Sequence, residues 1–448
     1  MLMLRINSNG GIFRRMPMRK LTFLFLILIT PLIGSSEIIF YDTENGSLIS
    51  DYVKCAAIDK IGNKWIGTEN TDYGSLNRFT DDSAWYVFTP GVMPSTQITS
   101  MAFDTSGNLW IGTLTAGLYK YNPDSGWQSF AADTNLTGVN ISSIAVDSDN
   151  QIWIGTFGAG LRRFDGDSTW IKYTALNGLN DDRIISIFAD NANCVWVGTY
   201  NGINLWNGSW QYYDSLNSPL PGNTVRAFAE DRSGNIWIGT NAGAARLDQS
   251  ADWTIYDTGN SGLASNQISA ITVDSSGYIW FGHRGTSQQE IMVSQYRGGI
   301  SWQTVNLDHI PSVLYVVITC AVTDHTGNLW FGTSGEGVVL VKIDPTAVAD
   351  ENKNLPAGYT LGPNYPNPFN PGTSFEFSLP VRSAVTITIY DILGRKIRTL
   401  LNDNRPAGVY RMQWDGLNDY GRPVSTGIYF YRMATLQFAE TRKMLLIK

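Results

Sequence analysis

Asp147-Ser148-Asp149-Asn150-Gln151-Ile152-Trp153-Ile154-Gly155-Thr156 decides the fold of this chain. Asp, then Trp six residues on, then Gly two residues later, recurs seven times: Asp59/Trp65, Asp104/Trp110, Asp147/Trp153, Asp190/Trp196, Asp231/Trp237, Asp274/Trp280 and Asp324/Trp330. The Trp-to-Trp steps are 45, 43, 43, 41, 43 and 50 residues. A period of about 40–50 residues with aromatic and Gly punctuation implies stacked four-stranded sheets, none able to bury its own faces alone. The expected class is all-β, a seven-bladed β-propeller.

Working outward from Asp147, residues 141–146 form an apolar run and 148–150 a turn. Residues 152–156, rich in β-branched and aromatic side chains, read as a second strand. A Gly-rich bend at 157–160 leads to strand 161–164. A turn at 165–167 leads to strand 170–173. The repeated Asp suits the first hairpin, its carboxylate accepting from backbone N–H two residues on. Gly62, Gly107, Gly234, Gly277 and Gly327, with Asn150 and Asn193 in their place elsewhere, supply the positive φ of that turn. One acidic residue per blade cannot converge on an ion, so no metal site is expected.

Cys55, Ser100, Ser143, Ser186, Ala227, Ala270 and Cys320, four residues before each Asp, are small, as strands crowded around a central axis require. The second-strand Trp residues suit the space between sheets. Trp85, Trp127, Trp170, Trp210, Trp253 and Trp302 open the outer strands. The last repeat, 318–343, stops before an outer strand. Residues 38–43, Ile-Ile-Phe-Tyr-Asp-Thr, align with 253–258 and are expected to supply that strand from the other end of the chain, closing the ring by backbone hydrogen bonds.

The 448 residues, 43% hydrophobic, allow a large core and a second domain. Charged residues are 16% and net charge is −7, with no basic stripe, so nucleic acid is not an expected partner. Three Cys show no metal spacing. Cys55 and Cys320 occupy equivalent sites in neighbouring blades. A disulfide and two small buried thiols both fit, and the inner-strand separation favours thiols.

Residues 1–36 read as a signal peptide: Arg14, Arg15, Arg19 and Lys20 precede an apolar run at 21–33 and then Gly34-Ser35-Ser36. Thirteen apolar-rich residues are short for a permanent span, so no transmembrane anchor is expected. Residues 37–345 are assigned to the propeller, 346–363 to a linker and 364–448 to a small Ig-like β-sandwich. Its strands are read at 374–379, 385–390, 409–414, 427–433 and 443–447. The motifs Tyr365-Pro366-Asn367-Pro368-Phe369-Asn370-Pro371, Ile389-Tyr390-Asp391, Trp414-Asp415-Gly416 and Ser425-Thr426-Gly427-Ile428-Tyr429 resemble the type A C-terminal sorting domain of the type IX secretion system. That pattern is related to the flagellar-hook-capping Ig-like domain. The resemblance implies passage through the periplasm and the outer-membrane secretion machinery, to a secreted or cell-surface destination.

The blades, with Asp-x-x-Gly-Asn-x-Trp-Ile-Gly-Thr followed by Gly-Leu, resemble the two-component regulator propeller repeat. In that family the repeats form sensor domains of hybrid histidine kinases that detect polysaccharide fragments. Nothing here reads as kinase or receiver, so only ligand binding carries over. A second resemblance, to streptogramin lyase-type propellers, implies a metal-assisted lyase or hydrolase using top-face His and Glu. The chain has three His, at 283, 309 and 325, and does not reproduce that placement. The expectation is therefore a non-enzymatic protein without catalytic residues or cofactor, with the lyase, or a purely structural surface protein, as the alternative.

Ligand candidates come from loops that converge at one mouth of a ring. Segments leading into first strands contribute Tyr52, Gln97, Arg183, Gln267 and, two residues after Thr224, Arg226. Loop tips contribute Glu69, Asp72, Tyr73, Phe157, Tyr200, Asn201, His283, Arg284 and Glu336. Phe157 and Tyr200 are stacking candidates, and Arg183 and Arg226 suit an acidic group. Hydroxyls, amides, Arg and aromatics together suit an extracellular glycan first and a protein ligand second.

Overall fold

In a computed structural model the described residues are 4–6, 12–16, 37–69, 74–80, 84–88, 97–130, 136, 138–284, 291–299, 301–307, 316–343, 358–380, 383–405 and 408–447. The chain divides into two units, Met1–Pro345 and Thr346–Lys448.

Seven antiparallel sheets make up the first unit, each with its strands in simple order from first to fourth. Blade three is Ile141–Val146, Ile152–Thr156, Leu161–Phe164 and Trp170–Tyr173. Blade seven joins Ile318–Thr323, Leu329–Thr333 and Val338–Val341 to Ile38–Tyr41. Phe40 pairs with Val339 and Ile38 with Val341, so the ring closes with a strand from the start of the propeller. Leu4–Ile6 and Ile12–Met16 form a hairpin on the outer edge of Trp85–Phe88, extending blade one to six strands. The apolar run at 21–33 lies outside the described residues.

Each repeated Asp does more than hold its turn. One carboxylate oxygen accepts from backbone N–H two and four residues on, as in Asp147 with Asp149 at 3.1 Å and Gln151 at 2.8 Å. The other accepts from the indole Nε1 of the paired Trp at 2.8–3.0 Å in all seven blades. That bond lets a buried Trp satisfy its one donor inside the sheet packing. Gly62, Gly107, Gly234, Gly277 and Gly327 have φ of 76–90°, and Asn150 and Asn193 have φ of 61°. A cation on the third strand lies opposite the Trp in four blades: Arg78, Lys120, Arg163 and Arg246 sit 5.4–6.0 Å from the ring centres.

The Gly two residues after Trp has a different cause. A Cβ at Gly112, Gly155 or Gly239 would lie 2.5 Å from the Ile that opens the next blade's first strand: Ile141, Ile184 or Ile268. Neighbouring blades pack that closely. Small first-strand residues also bond between blades: Ser100 Oγ accepts from Ile144 N and Ser143 Oγ from Ile187 N. All three cysteines are free thiols.

The second unit packs a sheet of Thr360–Leu361, Thr373–Leu379 and Gly408–Trp414 with a sheet of Lys396–Arg405, Ser383–Asp391, Gly427–Ala434 and Ala439–Leu446. Phe369, Phe375, Phe377, Trp414, Tyr431 and Met444 fill its core. The Pro-rich segment anchors through Phe369, whose N–H donates to Leu445 O while its carbonyl accepts from Ile447 N, both at 3.0 Å. Two features depart from the expectation. Lys396–Arg405 is a long strand where the sequence reading placed none, and Thr360–Leu361 places a short strand inside the expected linker.

Candidate ligand-binding face

One end of the ring is built by two backbone segments from each blade. The residue after the second strand donates its N–H to the carbonyl of the residue before the first strand: Leu114 to Gln97, Phe157 to Asn140, Asn241 to Thr224, Arg284 to Gln267 and Ser334 to Val317, at 2.8–3.1 Å. Two tips also reach the following blade, as isolated bridges join Phe157 to Arg183 and Ser334 to Tyr52. The last residue of the second strand stiffens the tip. Thr156 Oγ1 donates to Gly160 O at 2.6 Å and accepts from Ala159 N at 3.0 Å.

On this frame Phe157 and Tyr200 meet edge to face, with ring centres 5.6 Å apart and an interplanar angle of 81°. They are 48% and 38% exposed, so the pair presents aromatic surface to solvent. Arg183 lies 4.9 Å over the Tyr200 ring. Its Nε and Nη2 hold both oxygens of Asp181 at 2.9 and 2.5 Å. Hydrogen bonding from Arg183 keeps the Asp181 carboxyl below the usual carboxylate range, against its partial burial. Arg183 is thus already paired within the chain, and Asp181 is a site residue that sequence reasoning passed over.

Arg226 continues the arc. It is half-buried, and its Nε is buried without a hydrogen-bond partner. Burial lowers its pKa, as does the nearby charge of Arg284, while Tyr200 acts in the opposite sense. Arg284 is exposed. Phe157, Arg183, Tyr200, Arg226 and Arg284 therefore form one arc from blade three to blade six.

The other expected residues distribute differently. Tyr52, 49% exposed, sits at the seam of blades one and seven beside the Lys54–Glu69 ion pair. Glu336 is half-buried on the blade-seven tip, its N–H donating to Thr333 Oγ1 at 2.8 Å. Gln97 is half-buried and Gln267 exposed, both held at the same end of the ring by the backbone bonds above. Asp72, Tyr73, His309 and residues 285–290, between the second and third strands of blade six, lie outside the described residues. The third strand of that blade is Met292–Tyr296.

His283 requires a correction, because it does not face the mouth. It ends the strand Ile279–His283 where the other blades carry the buried Thr68, Thr113, Thr156, Thr199, Thr240 and Thr333. It is 4% exposed, and its Nε2 shares a 2.8 Å hydrogen bond with Ser294 Oγ. Burial pushes its pKa down to about 4, with the Ser265 backbone acting in the opposite sense. Among the described residues no group of three His, Cys, Asp or Glu is placed to hold a metal ion.

Comparison with known proteins fits this geometry. Residues 93–115, 135–158, 178–201, 219–242 and 262–285 match the two component regulator propeller, and residues 367–437 match the FlgD Ig-like domain. The chain carries both modules. No curated protein matches it in sequence. Among solved structures it is similar to the extracellular domain of a protein described as a hybrid two component system of B. thetaiotaomicron. That likeness has 18% identity and a TM-score of 0.59, covering 91% of this chain and 57% of the other. A catalytically inactive virginiamycin B lyase from Staphylococcus aureus, solved with quinupristin, gives 12% identity and a TM-score of 0.56, covering 69% of this chain and 100% of the other. PorZ, a surface component of the type-IX secretion system of Porphyromonas gingivalis, gives 15% identity and a TM-score of 0.50, covering 89% and 60%. This chain thus spans 57% and 60% of the length of the first and third of these. At such identities the likeness is one of fold, shared by the extracellular domain of a two component system and by a lyase. Among the described residues no helix is long and apolar enough to cross a membrane.

Proposed function

We propose that this protein is a secreted or cell-surface recognition propeller whose ligand, an extracellular glycan, binds across the mouth of blades three to six. The observation that carries this reading is the exposed Phe157–Tyr200 pair, with Phe157 held by backbone bonds to Asn140 and Arg183 and Tyr200 flanked by Arg183. Aromatic faces beside planar hydrogen-bond donors suit the apolar face and the hydroxyl edge of a sugar ring. Rigid tips also reduce the ordering cost of binding. The match to a sensor-type repeat supports the same direction.

Binding of the full-length chain to an immobilised glycan panel tests the reading. Replacing both Phe157 and Tyr200 by Ala is expected to weaken the strongest hit at least about tenfold with the fold retained. A panel without any hit, or a hit indifferent to both substitutions, would sink it.

In the same reading the Ig-like unit is the export signal, supported by its FlgD Ig-like match and by the sequence motifs of 364–448. In a bacterium with type IX secretion, deleting 364–448 is expected to retain the propeller inside the cell envelope. Unchanged release would refute the assignment.

A further inference from the structure

Three guanidinium groups lie on the arc, and they are not equivalent. Arg183 is neutralised by a two-pronged contact with Asp181. Arg226 and Arg284 have no carboxylate partner among the described residues, in a chain whose net charge is −7. Other partly buried cations of the propeller are accommodated differently. Arg78, Lys120, Arg163 and Arg246 lie over Trp rings, and Arg246 also donates to Thr254. The Nε is dry and unpartnered in Arg78, Arg246 and Arg226 alike, and Arg226 differs in having no Trp ring beneath its guanidinium. A buried donor without an acceptor is costly, as are two like charges within electrostatic reach, and an anion seated between them relieves both.

Resting on the glycan reading above, we infer that the ligand is an acidic polysaccharide, its carboxylate or sulfate taken between Arg226 and Arg284 while a neighbouring sugar lies on Phe157 and Tyr200. Arg226 is the directional partner, because its half-buried guanidinium has few orientations. Arg284, exposed on the tip after the second strand of blade six, closes over the anion from the outer side. The arc then explains its own asymmetry: Asp181 cancels the cation nearest the stacking pair and leaves net positive charge only where the acid group sits.

The test is calorimetric titration of the full-length chain with two matched pairs: polygalacturonate with its methyl ester, and a sulfated galactan with its unsulfated parent. At least one acidic member is expected to bind tenfold or more tighter than its neutral counterpart, with affinity falling as salt rises. The member that binds distinguishes carboxylate from sulfate. Arg284→Gln and Arg226→Gln are each expected to cost tenfold or more on the acidic ligand. Arg284, being exposed, keeps the test valid if the Arg226 variant fails to fold. Equal binding of acidic and neutral members, or indifference to Arg284→Gln, overturns the inference and leaves glycan binding standing. Binding to none of the four, with no hit on the wider panel, removes the glycan reading and this inference together.

Discussion

Lys64 of blade one reaches the carboxylate of Asp324 in blade seven across the closing seam, with Nζ 3.6 Å from Oδ2 and both side chains nearly dry. In the other six blades the residue before the Trp is Leu109, Ile152, Val195, Ile236, Ile279 or Leu329. A charge therefore replaces an apolar residue only where the ring meets itself. Lys64 also lies over the Trp330 ring, 5.5 Å from its centre. Burial opposes ionisation of Asp324. Hydrogen bonds from Thr326, Trp330 and Asn328, with the Lys64 charge, outweigh it and lower its pKa.

Asp324→Asn should therefore destabilise the propeller more than Asp147→Asn, since only the former also breaks an ion pair. The excess is expected to be about 1–3 kcal/mol, and a double-mutant cycle with Lys64→Met should recover most of it as coupling. Denaturant melts of the wild type and these four variants measure it. Equal losses at the two Asp positions would show the pair to be energetically idle.

Trp153→Phe keeps the ring in the blade but deletes the Nε1–H that Asp147 accepts at 2.8 Å. A loss of about 1–2 kcal/mol is expected, mostly from the under-satisfied carboxylate. Thermal unfolding followed by circular dichroism reads it. Unchanged stability would mean that water replaces the indole donor without cost.

Gly155→Ala puts a methyl group 2.5 Å from Ile184 of the next blade. Overpacking is expected to cost about 1–3 kcal/mol. Adding Ile184→Ala should recover part of the loss, although it is itself destabilising, because the two changes share one contact. Additive losses in the double variant would contradict the close approach of adjacent blades.

His283 gives the propeller a pH dependence whose sign follows from its depressed pKa of about 4. The unfolded chain binds this proton near its ordinary value of about 6.5 and the folded chain does not. Its contribution is complete above about pH 6.5 and is lost as the pH falls toward 4, by up to about 3 kcal/mol. His283→Thr, restoring the residue of the other six blades, should flatten the melting temperature between pH 7.5 and 4.5. A parallel decline in both proteins would place the acid sensitivity elsewhere.

The blade count, the hairpin turns and the borrowed strand were legible because each depends on local repetition. Asp147, Trp153 and Gly155 recur at fixed spacing in every blade, Asn150 gives way only to Gly or Asn, and Tyr41 matches Tyr256 of Trp253–Tyr256. The Asp–Trp hydrogen bond was not read, since it depends on side chains meeting across a hairpin. At the mouth, the union of Phe157 with Tyr200 was foreseen only as two separate tips. The pairing of Arg183 with Asp181 escaped notice because a two-residue separation in an irregular segment carries no period. His283 misled for the opposite reason: its place before a loop suggests exposure, while strand pairing with Ile268 turns it inward. In the Ig-like unit, Lys396–Arg405 was hidden by polar residues that mimic a turn.

Ring closure also sets the order in which the molecule can become whole. Glu37, beside the borrowed strand, meets Lys342 over a separation of 305 residues. A nascent chain must therefore keep Ile38–Tyr41 unmatched until nearly the entire propeller has been synthesised, and blade seven can only be the last to lock. Until that strand docks, blade seven keeps an unpaired edge, so an unfinished ring is open to mispairing in a way the finished one is not.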